Sequence, residues 1–476
     1  MPVIELADFD VAVMGDGSSL VVLQAVMLAG AIMRPEICSK VTVKQYYQRL
    51  KALIQSGYEQ NPLNTLSALC LIQWYTPAAP KDVSTDSPRF WNTYAIGLAH
   101  QLGLHRLSKQ ANDTSIRRRI YFTLCARDCL TSAAHGRPKL LHPADCDLPP
   151  VALDDFSASD EDPARLFIAY SEVTSILGDL CQIVTRNGRI TNHEHVAIVR
   201  RLQELLHGLP PHLSLLGATG SAKSYKLNTS QLHVAILTAL VVLYRPRSVF
   251  TLSESASPSI TAAFLTFRLF QAIQLRADTK YLGSAFAWYL LVAAIPLLSS
   301  AGVPGIANEA TFALDGLESS LATLGEVRPA AANNFKSVRA IRHAVANATR
   351  PSRAGPDTRT RAADEAGMAS IFAHYGQEAS QLLKDMTSIL HSSSDRQDYI
   401  ASDTTQPQQA VESVMTAAME PRSQPSVSNG FESQSTSGSD GLHNAISALF
   451  NDETLIDANS WMLRDWMDLM PPTVEE

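Results

Sequence analysis

The sequence predicts an all-α fold, a large multi-helix domain followed by a disordered C-terminal tail. Three observations carry this expectation. Apolar residues recur at helical spacing from about residue 18 to 345, alternating strand-like runs are few, and the breaks between periodic segments are short and built from Pro, Gly and polar residues. With 476 residues, 46% hydrophobic and 18% charged, the chain can bury a large core. That composition excludes a wholly disordered chain. A prior of about 150 residues per domain allows two or three domains.

The first helix is expected over Leu20 to Met33. Ser18 to Met33 is apolar enough to mimic a signal peptide, but the acids Glu5, Asp8, Asp10 and Asp16 precede it instead of a basic region, so it reads as a buried helix. Gly15-Asp16-Gly17-Ser18-Ser19 is reminiscent of a phosphate cradle but lacks the Lys and spacing of a P-loop. Ser18 or Ser19 as a helix cap accounts for it. Helices follow over Val43 to Ser56, Leu63 to Tyr75 and Arg89 to Leu102. In the last of these Trp91, Tyr94, Ala95, Leu98, Ala99 and Leu102 fall at helical spacing, and Gly103 with Leu104 is the expected left-handed stop with its hydrophobic return contact. His105 and Arg106 then sit past a helix C-terminus, where the dipole favours positive charge.

Ser115 to Ala133 comes next, capped by Asn112, Asp113 or Thr114, with Ile116, Ile120 and Leu124 leading toward Leu130 on one face. Asp128 falls inside that apolar pattern and needs partners, for which Arg117, Arg118, Arg119 and Arg127 are at hand. Gly136-Arg137-Pro138 supplies a turn before Asp145-Cys146-Asp147-Leu148-Pro149. Further helices are expected over Arg165 to Thr185, His193 to His207, Ser230 to Tyr244, Ser259 to Arg276, Tyr281 to Ser300 and Ala307 to Leu324. Tyr281 to Leu298 is uncharged and near the lower length limit for a membrane span. It contains Gly283 and Pro296, however, and has basic neighbours, Arg276 and Lys280, on one side only. It reads as a core helix, and no membrane partner is expected.

The composition divides the chain into four parts: an all-α domain over 1–345, a linker with one further helix over 346–390, a Ser/Thr/Gln/Pro-rich disordered stretch over 391–440, and an acidic-hydrophobic segment over 441–476. Arg350 to Pro356 is a run that no regular element tolerates, and the further helix is expected around Asp364 to Leu390. The third part buries too little apolar surface to repay its ordering entropy.

Charge and cysteine usage narrow the classes. Thirty-nine Lys plus Arg against 46 Asp plus Glu leave a formal charge of −7. That excludes a nucleic-acid binder that works by overall positive charge. Six cysteines without a recognisable leader point to a reducing compartment rather than to a disulfide-stapled secreted protein.

The succession Gly97-Leu98-Ala99-His100-Gln101-Leu102-Gly103-Leu104-His105-Arg106, then Arg118-Arg119-Ile120-Tyr121-Phe122, Arg127-Asp128, Gly136-Arg137-Pro138 and Asp145-Cys146-Asp147-Leu148-Pro149 resembles the fungal-specific transcription factor domain. That domain is the regulatory middle region of fungal zinc-cluster transcription factors. Ser19 to Met27 and Gln73-Trp74-Tyr75 are similar to the branch that includes cutinase-type transcription factors. The resemblance covers roughly residues 1 to 345 and is strongest between 18 and 156. It marks Gly103, Leu104, His105, Arg106, Arg118, Arg119, Arg127, Asp128, Gly136, Arg137, Pro138, Asp145, Asp147 and Pro149 as motif residues with structural roles.

Two departures from the family pattern stand out. Tyr121-Phe122 occupies the place of the family's usual paired tryptophans, which alters volume and keeps aromatic character. The family's DNA-binding module, six cysteines in a compact basic segment holding two zinc ions, has no counterpart here. Cys38, Cys70, Cys125, Cys129, Cys146 and Cys181 are too widely spread for a closed zinc site. No cofactor is therefore expected in this chain, with zinc entering only through an upstream cluster. Pro2 to Phe9 resembles the opening of the family's middle region. The chain is thus expected to begin about where the zinc module and linker would end, either as a natural co-regulator or as a product lacking its first exon.

Sharper chemistry competes with simpler readings at several places. Arg117-Arg118-Arg119 could touch phosphates, but three arginines on one turn more often pair with acids such as Asp113 and Asp128. Cys125 and Cys129, one turn apart, could share a metal with His135 or Cys146, although buried cysteine usually behaves as a small hydrophobe. His100, His105, His135 and His142 lie close in sequence without a nucleophile motif, so no catalytic residue and no enzyme is expected. In the last segment Trp461, Met462, Leu463, Trp466, Leu469 and Met470, with Asp465 and Asp468, form an activation-like amphipathic face. It is expected either to fold on a coactivator or to dock back on the helical domain.

The resemblance implies a nuclear transcription regulator of a specialised (secondary-metabolite) or catabolic gene set, a homo- or heterodimer that recruits coactivator machinery. DNA would be reached directly, as in the family, or through a partner factor. The alternative is a co-regulator or decoy that pairs with full-length zinc-cluster factors without binding DNA.

Overall fold

A computed structural model describes residues 3–4, 19–34, 36–77, 84–107, 114–157, 160–217, 219–246, 252–347 and 361–403. Among the described residues the fold is all-α, fourteen helices with no strand.

The first four helices share one recipe for starting. α1 (Leu20–Met33) begins at Ser19, whose hydroxyl accepts the Val22 N–H, and α2 (Lys40–Gln55) begins at Ser39, which accepts that of Thr42. α3 (Pro62–Ile72) and α4 (Pro88–Gln101) each place proline at the first helical position, behind Asn61 and Ser87 as caps. Proline lacks a hydrogen that the first turn could not use, and the cap oxygen satisfies one that remains. α4 ends as expected: Gly103 has φ 63°, and the Leu104 N–H returns to the Ala99 carbonyl at 2.9 Å with the Leu104 side chain buried.

α5 (Thr114–His135) and α6 (Glu161–Asn187) pack against one another, and α7 (Asn192–Gly208) follows behind a Thr191/Glu194 capping box. α5 and α6 approach closely at Gly178, where an added Cβ would stand 2.6 Å from the Cys129 sulfur. The remaining helices of the main body are α8 (Leu227–Leu243), α9 (Ser257–Gln274), α10 (Ala285–Ser300), α11 (Ala307–Gly325) and α12 (Pro329–Asn347). α10 is buried along its length from Phe286 to Ser300, so the uncharged stretch is a core helix, as its interrupted pattern implies. It starts later than expected because Thr279–Tyr281 forms a 3-10 turn and Gly283 follows. α6 is the one helix among the described residues long and apolar enough to cross a bilayer, and half of its apolar stretch is buried against the body.

The helices enclose two large cores and a small third one. One gathers α1 to α4 and the first half of α5, with Val21, Leu28, Leu50, Leu66, Trp91, Ile120 and Leu124 inside. The other gathers the end of α5 with α6 to α13, around the buried α8 and α10. α5 belongs to both.

The structure differs from the sequence reading after Leu324. α12 is an additional helix: Pro329 starts it, and Ala331 and Val338 enter the second large core. The single helix expected over Asp364 to Leu390 is two, α13 (Arg361–Ala373) and α14 (Gln377–Asp403), broken at Gly376 with φ 98°. Nor is the segment a bare linker. Met368, Ile371, Phe372 and Tyr375 sit in the second large core, and Met386 and Leu390 pack with Ala256, Ile260 and Ile306. α14 also runs past His391, where the disordered stretch was expected to begin. The rest of that stretch, from 404 on, and the whole 441–476 segment lie outside the described residues.

Candidate functional site

The motif residues come together in space, where α4, α5 and the loop from 136 to 157 meet. Asp128, buried on α5, is the centre. One carboxylate oxygen accepts the backbone N–H groups of Leu140 and Leu141 at 2.7 and 2.9 Å, and the other faces the Arg89 guanidinium at 3.6 Å. Burial raises its pKa above the ordinary carboxylate value, against the pull of those two N–H groups and of Arg89. Arg89 spans the gap to the loop, donating to the Ser132 hydroxyl at 3.0 Å and to the Pro138 carbonyl at 2.8 Å. Gly136, with φ 60°, makes the turn that brings Pro138 there, and the Arg137 N–H bonds the Ser132 carbonyl. Lys139, next along, pairs with Asp179, which Arg201 also holds.

The four arginines expected to serve Asp128 do other work. Arg117 donates to the Leu102 carbonyl at the end of α4 at 2.6 Å. Arg118 pairs with buried Asp155 at 3.0 Å and reaches the Pro150 carbonyl. Arg119 lies over the Phe156 ring and Arg127 over the Trp74 ring, 5.5 and 5.2 Å from their centroids. Asp128 is thus served by backbone and by Arg89 from the neighbouring helix. Arg118 does pair with an acid, though a different one from those expected; Asp113 lies outside the described residues.

The far end of the loop is fastened the same way. Asp147 accepts the Leu107 N–H and donates its own N–H to the His105 carbonyl at 3.2 Å, with Arg106 3.7 Å from its carboxylate. Asp145 closes a 3-10 turn by bonding the His142 carbonyl, and Pro149 follows in the non-helical run toward Pro150. Motif by motif, polar side chains bind backbone groups of a loop that has no regular structure to satisfy them.

Nucleophilic and metal-ligating groups are not gathered in this way. His100 and His105 stack edge to face with centroids 4.9 Å apart, while the His135 ring bonds the Thr131 carbonyl. Burial pushes the thiols of Cys70, Cys129 and Cys181 up to about 12, where they are unreactive. Among the described residues no group of three His, Cys, Asp or Glu side chains could hold a metal ion, so the cysteines present do not fit a zinc cluster. Arg89 and Asp155 are the contributors that sequence reasoning missed. The Asp154-Asp155 pair downstream of an arginine-rich helix was a usable signal; Arg89 had none. Trp461, Leu463, Asp465, Trp466, Asp468 and Leu469 lie outside the described residues.

Residues 2–236 match the family described as the fungal specific transcription factor domain. Relatives include the acetamidase regulatory protein of Aspergillus oryzae, 25% identical over 291 residues that make up 58% of this chain and 36% of the relative. Cutinase transcription factor 1 alpha of Fusarium vanettenii is 29% identical over 34% of this chain and 20% of its own length. The transcriptional activator protein acu-15 of Neurospora crassa is 26% identical over 45% and 25%. The matched part of the chain thus spans about a third or less of the length of these relatives, which are transcription regulators and not enzymes. No solved structure matches.

Proposed function

We propose that the chain is a nuclear transcription regulator controlling a specialised metabolic or catabolic gene set. In this reading the helical body supplies dimerisation or effector sensing, and the acidic-hydrophobic segment over 441–476 recruits coactivator machinery. DNA is reached directly or through a partner factor. The observation that carries the proposal is the match of residues 2–236 to the fungal specific transcription factor domain, in a chain whose relatives regulate transcription. The names of two of them, an acetamidase regulator and a cutinase transcription factor, support a catabolic gene set.

A reporter tests it. The full chain is fused to an unrelated DNA-binding domain and compared with a Trp461→Ala, Trp466→Ala double variant. The expected result is activation by the parent and near-background activity in the variant, since large aromatic anchors dominate helix-in-groove recognition. Undiminished activation by the variant overturns the assignment to the terminal segment. Silence of the parent fusion, with inhibition of a full-length relative, moves the decoy reading to the front.

A further inference from the structure

Between the two large cores opens a cleft of about 590 Å³, lined by Met33 and Arg34 at the end of α1, Trp74 beyond α3, Leu227, Asn228 and Gln231 on the first turns of α8, and Tyr281. Its volume falls in the range of small-molecule sites, and it opens broadly to solvent. Its walls join elements far apart in sequence, and the Thr76 to Ser284 hydroxyl contact at 3.0 Å holds the two sides together nearby.

The chemistry of the lining is specific. Trp74 and Tyr281 offer aromatic faces, and the Asn228 and Gln231 amides offer donors. The charge is positive in a chain whose net charge is −7. Arg34 stands in the wall, paired at 2.7 Å with Glu36. Lys280 lies over the Tyr281 ring and reaches Glu36 at 4.0 Å. Arg127 stacks on Trp74, and among the described residues no carboxylate pairs with it. Arg34 and Lys280 therefore share Glu36 beside a cleft that Trp74 and Tyr281 line. Glu36 engages the Arg34 guanidinium through Nε.

We propose that this cleft binds a small planar aromatic monocarboxylate, its ring against Trp74 and Tyr281 and its carboxylate on Arg34 in place of Glu36. A guanidinium matches a carboxylate in a two-pronged geometry, and one cation freed from one internal carboxylate suits a single negative charge. The proposal deepens the effector-sensing part of the function proposed above. It is tested by binding to the purified full chain, so a failed reporter assay and a failed binding assay are separate results.

The probe is 2-naphthoate, titrated calorimetrically, with the uncharged 2-naphthamide as comparison. Saturable one-to-one binding is expected, with the amide at least tenfold weaker. Arg34→Gln is expected to weaken 2-naphthoate about tenfold, the equivalent of one charge-assisted hydrogen bond. Glu36→Gln removes the internal competitor and is expected to tighten binding severalfold, a gain that misfolding does not produce. Absence of saturable binding by the parent chain overturns the proposal. Equal affinity for acid and amide, or indifference to both substitutions, overturns it as well.

Discussion

Asp128 is a carboxylate on an otherwise apolar helical face, and it holds the following loop at Leu140, twelve positions on. A buried carboxylate that accepts two backbone hydrogens cannot be removed without orphaning both. Asp128→Ala is therefore expected to cost about 3 kcal/mol, at the upper end of the range for stranded buried donors. Asp147→Ala, at a half-exposed pair, is expected to cost less than about 1 kcal/mol. Urea unfolding of the two variants checks the contrast, and equal losses would contradict the central place given to Asp128. At this scale the sequence was half legible. That Asp128 needed partners followed from its position among Ile120, Leu124 and Leu130. Which partners it found did not, because Arg89 comes from another helix and the N–H groups from a loop without periodicity.

Among the elements, α5 and α6 meet where Gly178 admits the Cys129 side chain. A methyl group there has to displace a neighbouring sulfur and Cβ within a packed core, so Gly178→Ala is expected to cost about 1–3 kcal/mol. Gly97→Ala on α4 meets nothing within 4 Å and is expected to be neutral or mildly stabilising through helix propensity. Thermal midpoints of the two variants separate close approach from propensity. Helix positions were the most legible feature of the sequence, since apolar periodicity marks the middle of a helix. Starts were placed late at α2, α3 and α4, where the first turn is Lys40, Pro62 or Pro88 and carries no apolar signal. α12 escaped for a related reason: Pro329-Ala330-Ala331-Ala332-Asn333-Asn334 shows a core face only through small residues, Ala331 among them.

For the molecule as a whole, the body continues beyond residue 345. His233, buried on α8, bonds the Leu213 carbonyl and the Tyr375 hydroxyl, and burial lowers its pKa to about 4, so it stays neutral. Met368, Ile371 and Phe372 each bury a side chain worth about 2 kcal/mol against the same core. A chain ended after 345 is expected to melt at least ~5 °C below one ended after 403, by circular dichroism. Equal midpoints would show α13 and α14 to be passengers. The segment matching the family ends at 236, in the middle of α8, where every residue from Leu232 to Leu243 is buried. The matched part is therefore a stretch of recognisable sequence and not a unit that closes its own core. α5 gives that point a mechanical form. At 22 residues it is a shaft about 33 Å long, keyed at one end by Ile120 and Leu124 and at the other by Leu130 and Ala133. A twist imposed on either bearing is delivered to the other without an intervening joint.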